Sequence, residues 1–108
     1  MQQEGHASIP VDHWLSAGEQ VHATAAATDS VVLVTDQRLL VVTGRRAALD
    51  VDVTGLRRIQ FDVEKRRPAT MVIVPEDPTL EAQVLTIPPS DIEAAAAVVA
   101  QVGLRLQR

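Results

Sequence analysis

The chain has 108 residues, 46% of them hydrophobic, with a formal net charge of −4, which fits one globular domain with a self-sufficient core and argues against disorder. The acidic balance disfavours nucleic acid as a partner, since phosphate binding needs clustered Lys and Arg. There is no cysteine, hence no disulfide, no thiolate nucleophile and no cysteine zinc site.

In chain order, residues 1–8 are small and polar and read as a flexible N-terminal tail; the expected domain spans 9–108. Met1-Gln2-Gln3-Glu4 lacks the basic and apolar regions of a secretory signal. No apolar run is long enough to span a bilayer, so a cytoplasmic location is the expectation. Asp12 is placed to cap a short turn carrying Trp14 and Leu15. A weak, Ala-rich strand is expected over 19–27, and Thr28-Asp29-Ser30 turns the chain. The β-branched run Val31–Thr35 is a strong strand, Asp36-Gln37 a tight connection, and Arg38–Thr43 the next strand. Beyond Gly44, Leu49, Val51 and Val53 alternate with Asp50 and Asp52, as Ile59, Phe61 and Val63 alternate with their polar neighbours. Strands over 70–74 and 81–87 complete a count of seven. Short connections between them point to a closed or nearly closed antiparallel meander.

The ending differs in kind. Pro88-Pro89 breaks the sheet, and Ser90-x-x-Glu93 has the form of a capping box. Ile92, Ala96, Val99, then Val102 or Gly103, and Leu106 recur at helical spacing, which predicts one C-terminal helix laid against the sheets.

Seven strands followed by a capped helix is the element order of the pleckstrin-homology superfold. The segments Leu15-x-x-Gly18-Glu19-x-Val21, Val31-Val32-Leu33-Val34-Thr35-Asp36-x-Arg38-Leu39-Leu40 and Asp52-Val53-x-x-Leu56 with Ile59 resemble the opening of bacterial PH-like and GRAM-type domains. The resemblance implies a mainly β fold, a seven-stranded antiparallel PH-like barrel or sandwich capped by a C-terminal helix. It implies no enzyme and no cofactor. Relatives that bind phosphoinositides use a basic loop between the first two strands. The matching stretch 24–30 has no Lys or Arg and carries Asp29, a departure from that pattern.

Candidate chemistry is thin. His13 and His22, with Asp12 and Glu19 nearby, invite a metal, but their spacing guarantees no convergence. Asp50 and Asp52 share a strand face with Arg58 as a neighbouring cation, and read as a solvated face. Ser16, Ser30 and Ser90 lack the setting of a nucleophile. The most suggestive feature is basic: Arg45 and Arg46 in one turn, and Lys65, Arg66 and Arg67 in another, form a possible anion- or partner-binding rim.

The leading functional expectation is a non-enzymatic binding or scaffold module that associates with itself. The runs Val31–Val34 and Leu39–Val42 are apolar on both faces, and a strand shows only one face to its own core. Val32, Val34, Leu40, Val42 and Trp14 are therefore the candidate contact residues. A fold-back of the segment around Ile9, Val11 and Trp14 would cover the same surface without a second copy. The other expectations are a peripheral adaptor that binds anionic lipid through the basic rim, and a small enzyme or carrier with its site inside the barrel.

Overall fold

The computed structural model describes residues 11–106; the expected tail at 1–8, and the start of order at Ile9-Pro10, lie outside that range. Seven strands appear in chain order: β1 (Val21–Ala26), β2 (Val31–Thr35), β3 (Leu39–Thr43), β4 (Arg46–Val51), β5 (Leu56–Asp62), β6 (Ala69–Pro75) and β7 (Gln83–Ile87). The helix α1 (Ile92–Leu106) follows. Short 3-10 turns occupy Val11–Trp14, Val53–Gly55 and Pro89–Asp91. The strands form two antiparallel sheets, β1-β2-β3-β4 and β5-β6-β7. No helix among the described residues is long and apolar enough to cross a membrane.

Local chemistry sets each turn. Thr35 accepts from the amides of Gln37 and Arg38 at 3.0 and 3.1 Å, which closes the β2–β3 connection at Asp36-Gln37. The β3–β4 hairpin turns through Gly44 at φ +60, a conformation that costs little only without a Cβ. Asp52 caps the turn at Val53–Gly55 through the Thr54 amide. Bulges shift register at Val21/Ala23, Val41/Val42 and Leu56/Arg58.

One core joins both sheets and the helix. It contains Val32 and Val34 of β2, Leu39 and Val41 of β3, Met71 and Ile73 of β6, Leu85 and Ile87 of β7, and Ala95, Val98 and Val102 of α1. Aromatics are almost absent, so β-branched and aliphatic side chains fill the space between layers. Three bonds tie β7 to the first sheet and its β1–β2 turn: the Thr28 amide and hydroxyl donate to the Thr86 carbonyl at 2.9 and 3.2 Å, and Gln83 donates to the Ala48 carbonyl at 3.5 Å.

The helix departs from expectation in two ways. Its buried stripe is Ala95, Val98 and Val102, with Ile92 and Val99 partly buried beside it; Ala96 and Leu106 are exposed. Four consecutive alanines, 94–97, carry no amphipathic phase of their own, so the stripe could be drawn one residue out. Gly103 sits inside the helix. The capping box does not form among the described residues: Pro89–Asp91 makes a 3-10 turn with Pro88 at its N-cap and no side-chain cap. The helix entry is held instead by Asp91, whose Oδ2 accepts from the Ala26 amide of β1 at 2.7 Å. Replacing Asp91 by alanine strands that amide, and urea unfolding should show a loss of about 1–3 kcal/mol. An unchanged midpoint would show that the bond contributes nothing.

A second, smaller cluster lies on the other face of the first sheet. Leu33, Leu40 and Val42 are buried there, with Trp14, Leu15, Val31 and Ala47 packed around them.

Candidate functional site

Two of the three segments that carry the PH-like resemblance, at Glu19 and at Thr35–Arg38, meet in space. Gly18, at φ +80, turns the chain so that the Glu19 amide donates to the Ser16 carbonyl at 3.0 Å while the Ser16 amide donates to Glu19 Oε1 at 2.9 Å. The Glu19 side chain is thereby fully buried, 0% exposed, facing Arg38 at 20%. Arg38 reads it with both arms: Nη2 donates to Oε1 at 2.8 Å and Nε to Oε2 at 2.9 Å. This is the bidentate geometry that suits a guanidinium to a carboxylate. The Thr35 hydroxyl donates to Glu19 Oε2 at 2.5 Å. Arg38 Nη1 donates to Asp50 at 2.8 Å, and Nη2 to the Trp14 carbonyl at 2.6 Å.

The Arg38 hydrogen bonds hold the Glu19 carboxyl at about 2, below its ordinary 4.5, assisted by Thr35 and the Ser16 amide and opposed by burial. Arg38 is pushed up, chiefly by its bonds to Glu19. The cluster fastens the N-terminal turn, the start of β1, the β2–β3 turn and β4 together. Both oxygens of the Glu19 carboxylate and all three nitrogens of the Arg38 guanidinium bond to the chain itself, so the chemistry of the cluster is that of a clamp.

The acidic pair of β4 is divided. Asp50 serves Arg38 rather than forming a solvated face beside Arg58, and Asp52 has left the strand to bond the Thr54 amide and hydroxyl at 2.9 and 2.8 Å. Those bonds lower the Asp52 pKa. A shallow cleft of 260 Å³ lies beside it, lined by Asp36, Gln37, Asp52, Val53, Thr54 and Arg105; Arg105 donates to the Asp36 carbonyl at 3.0 Å. No group of three or more metal-ligating side chains exists among the described residues. His13 meets Trp14 edge-on, with ring centroids 5.2 Å apart.

The proposed rim residues are all exposed. Arg45 and Arg46 lie at the β3–β4 turn. Lys65, Arg66 and Arg67 lie at the β5–β6 turn, where Arg66 adopts φ +63 and Arg67 approaches Glu64 at 3.8 Å. Both turns lie at the ends of their sheets opposite Val53–Gly55. No hydrogen bond or ion pair joins them among the described residues.

Of the candidate self-association residues, four fall inside the chain and Trp14 is half-buried. Val32 and Val34 are fully buried in the main core; Leu40 and Val42 are fully buried in the second cluster, beneath the half-buried Trp14. The outward residue of β2 is Leu33, because parity along the run places Val32 and Val34 inward. The N-terminal turn provides the cover, through Trp14 and Leu15.

Two exposed arginines escaped the sequence reading as a site. The bulge between Leu56 and Arg58 leaves Arg57 and Arg58 both on the surface, beside Val74, at a cleft of 330 Å³. Two adjacent basic residues at the head of a strand were the available signal, but a bulge has no clear mark in sequence. No family model, curated protein or solved structure matches the chain.

Proposed function

We propose that the chain is a non-enzymatic, cytoplasmic binding or scaffold module of the PH-like type, with its two sheets and helix forming the barrel or sandwich of that fold, and that it associates with itself. The observation that carries this reading is the Glu19–Arg38 clamp. Two of the segments that make the sequence resemble PH-like and GRAM-type domains converge on one buried ion pair, whose bonds run to the chain itself. What the fold leaves accessible is charged groups of both signs and one partly apolar sheet face, which suits recognition of another surface. Static light scattering across micromolar concentrations tests the reading. A multiple of the 11.7 kDa chain mass is expected, and a monomer at every concentration would refute self-association.

A second reading, a peripheral adaptor at an anionic lipid surface, is favoured by one observation. Val63 is 52% exposed two residues before Lys65, Arg66 and Arg67, so the β5–β6 turn presents an apolar residue close to three cations, with Asp62 and Glu64 as its direct neighbours. Such a turn gains from headgroup attraction at about 1 kcal/mol per basic residue. Co-sedimentation with phosphatidylserine vesicles that disappears in high salt and in a Val63→Asp, Arg66→Glu variant is the expected result. Equal recovery with neutral vesicles would reject it.

A further inference from the structure

The outward face of the second sheet is a surface whose two halves complement each other in charge. Its cross-strand rungs are Arg58 with Val74, then Gln60 with Val72 and Val84, then Asp62 with Thr70 and Thr86. The opposite parity of β6, from Ala69 to Pro75, is buried in the core, so these side chains face away from it. Val84 is 69% exposed, and Leu80 in the following loop 40%. At one end of this face stand Arg57 and Arg58. Beside them starts the β6–β7 loop with Glu76, Asp77 and Glu81, all exposed. The two charged groups are neighbours by construction: Leu56 faces Pro75 across the ladder, and the Glu76 amide donates to the Gly55 carbonyl at 2.8 Å.

They are nonetheless unpaired. Among the described residues, neither Arg57 nor Arg58 forms an ion pair, and Glu76, Asp77 and Glu81 have no cationic partner. The nearby acids have other occupations. Asp62 accepts from Gln60 at 2.9 Å, Glu64 is near Arg67, and Asp50 is held by Arg38. Two side-by-side patches of opposite sign, unsatisfied within one chain and flanked by exposed Val and Leu, are what a two-fold interface requires. In such an interface, patch i meets patch j of the partner while patch j meets patch i.

We infer that the outer β5–β6–β7 face is where a second copy of this chain docks, with Arg57 and Arg58 of each copy set against the Glu76–Glu81 loop of the other and Val84, Val72 and Val74 enclosed between them. The inference rests on the self-associating reading above and moves its contact residues from β2 and β3 to the opposite sheet. It uses exposed side chains and disturbs neither core cluster.

Charge exchange tests it. One variant carries Arg57→Glu and Arg58→Glu; the other carries Glu76→Lys and Glu81→Lys, with Asp77 left in place because it holds the Thr79 amide and hydroxyl at 2.9 and 2.7 Å. Light scattering should give a dimer for the native chain and the 11.7 kDa monomer mass for each variant alone. Mixing the variants should restore the dimer, since an acidic face then meets a predominantly basic one. Val84→Lys, at a position too exposed to unfold the chain, should dissociate the native dimer by itself and decides the matter if a charge variant fails to fold. A native chain that is monomeric throughout overturns both the self-associating reading and this interface. A native multimer that survives the exchanged charges and Val84→Lys overturns the interface alone, as does dissociation without recovery on mixing.

Discussion

Replacing Arg38 by methionine is expected to cost the fold about 3–5 kcal/mol, because it leaves the Glu19 carboxylate buried without its cation. A domain of this size has only about 5–15 kcal/mol to lose, so the variant should unfold at a far lower urea concentration. Arg38 also holds the Trp14 carbonyl and Asp50, so the N-terminal turn should loosen with it. Pairing the change with Glu19→Leu should recover much of the loss, since an apolar pair avoids the uncompensated charge. The pH dependence follows from the lowered Glu19 pKa. A carboxyl held at about 2 in the fold and at its ordinary 4.5 when unfolded adds stability that is complete above 4.5. That stability drains away as pH falls from 4.5 through 2, and is worth on the order of 3 kcal/mol. In Arg38→Met the buried carboxyl gains by protonation, so the gap between the two proteins should narrow over the same window. A variant within about 1 kcal/mol of the native chain at neutral pH, the range of an exposed ion pair, would show that the clamp is solvated and dispensable.

The second large effect is on the helix. Val98 is fully buried in the core that joins the helix to both sheets, and Val98→Asp places a carboxylate there without a partner. Several kcal/mol of desolvation cost attend such a charge, enough to abolish cooperative melting. Ala96→Asp, two residues away on the exposed side, should cost only the lower helix propensity of Asp, below about 1 kcal/mol. Circular dichroism melts of the two variants decide the phase of the helix. Equal damage from both would mean that the helix turns a different face inward.

The order and number of elements were legible because β-branched runs, turn residues and the Pro88-Pro89 break are local signals. The clamp was only half legible. Glu19 and Arg38 belong to the segments that resemble PH-like and GRAM-type domains, but nothing local says that one will bury the other. The face of each strand was harder still. Val31–Val34 and Leu39–Val42 are apolar at every position, so parity carries no information within them, and the choice between a second copy and a fold-back of the chain around Ile9, Val11 and Trp14 lay in tertiary structure. The bulges add to this: the one at Leu56/Arg58 brings Arg57 and Arg58 to the surface together, where strict alternation would have separated them. Ser90 and Glu93 have the right spacing for a cap, yet Pro88 and Pro89 draw Ser90 into a 3-10 turn, and the tie to the sheet passes to Asp91.

The central claim is that the first sheet is sealed by its own N-terminal turn while the second sheet meets another copy. Hydrogen exchange measured across a range of protein concentrations tests it most directly, because protection that grows with concentration marks the segments buried by association. The expected result is concentration-dependent protection over 76–82 and β7, with β2, β3 and the turn at Trp14 protected equally at every concentration. Protection that rises with concentration in β2 and β3, or exchange that ignores concentration everywhere, would contradict it.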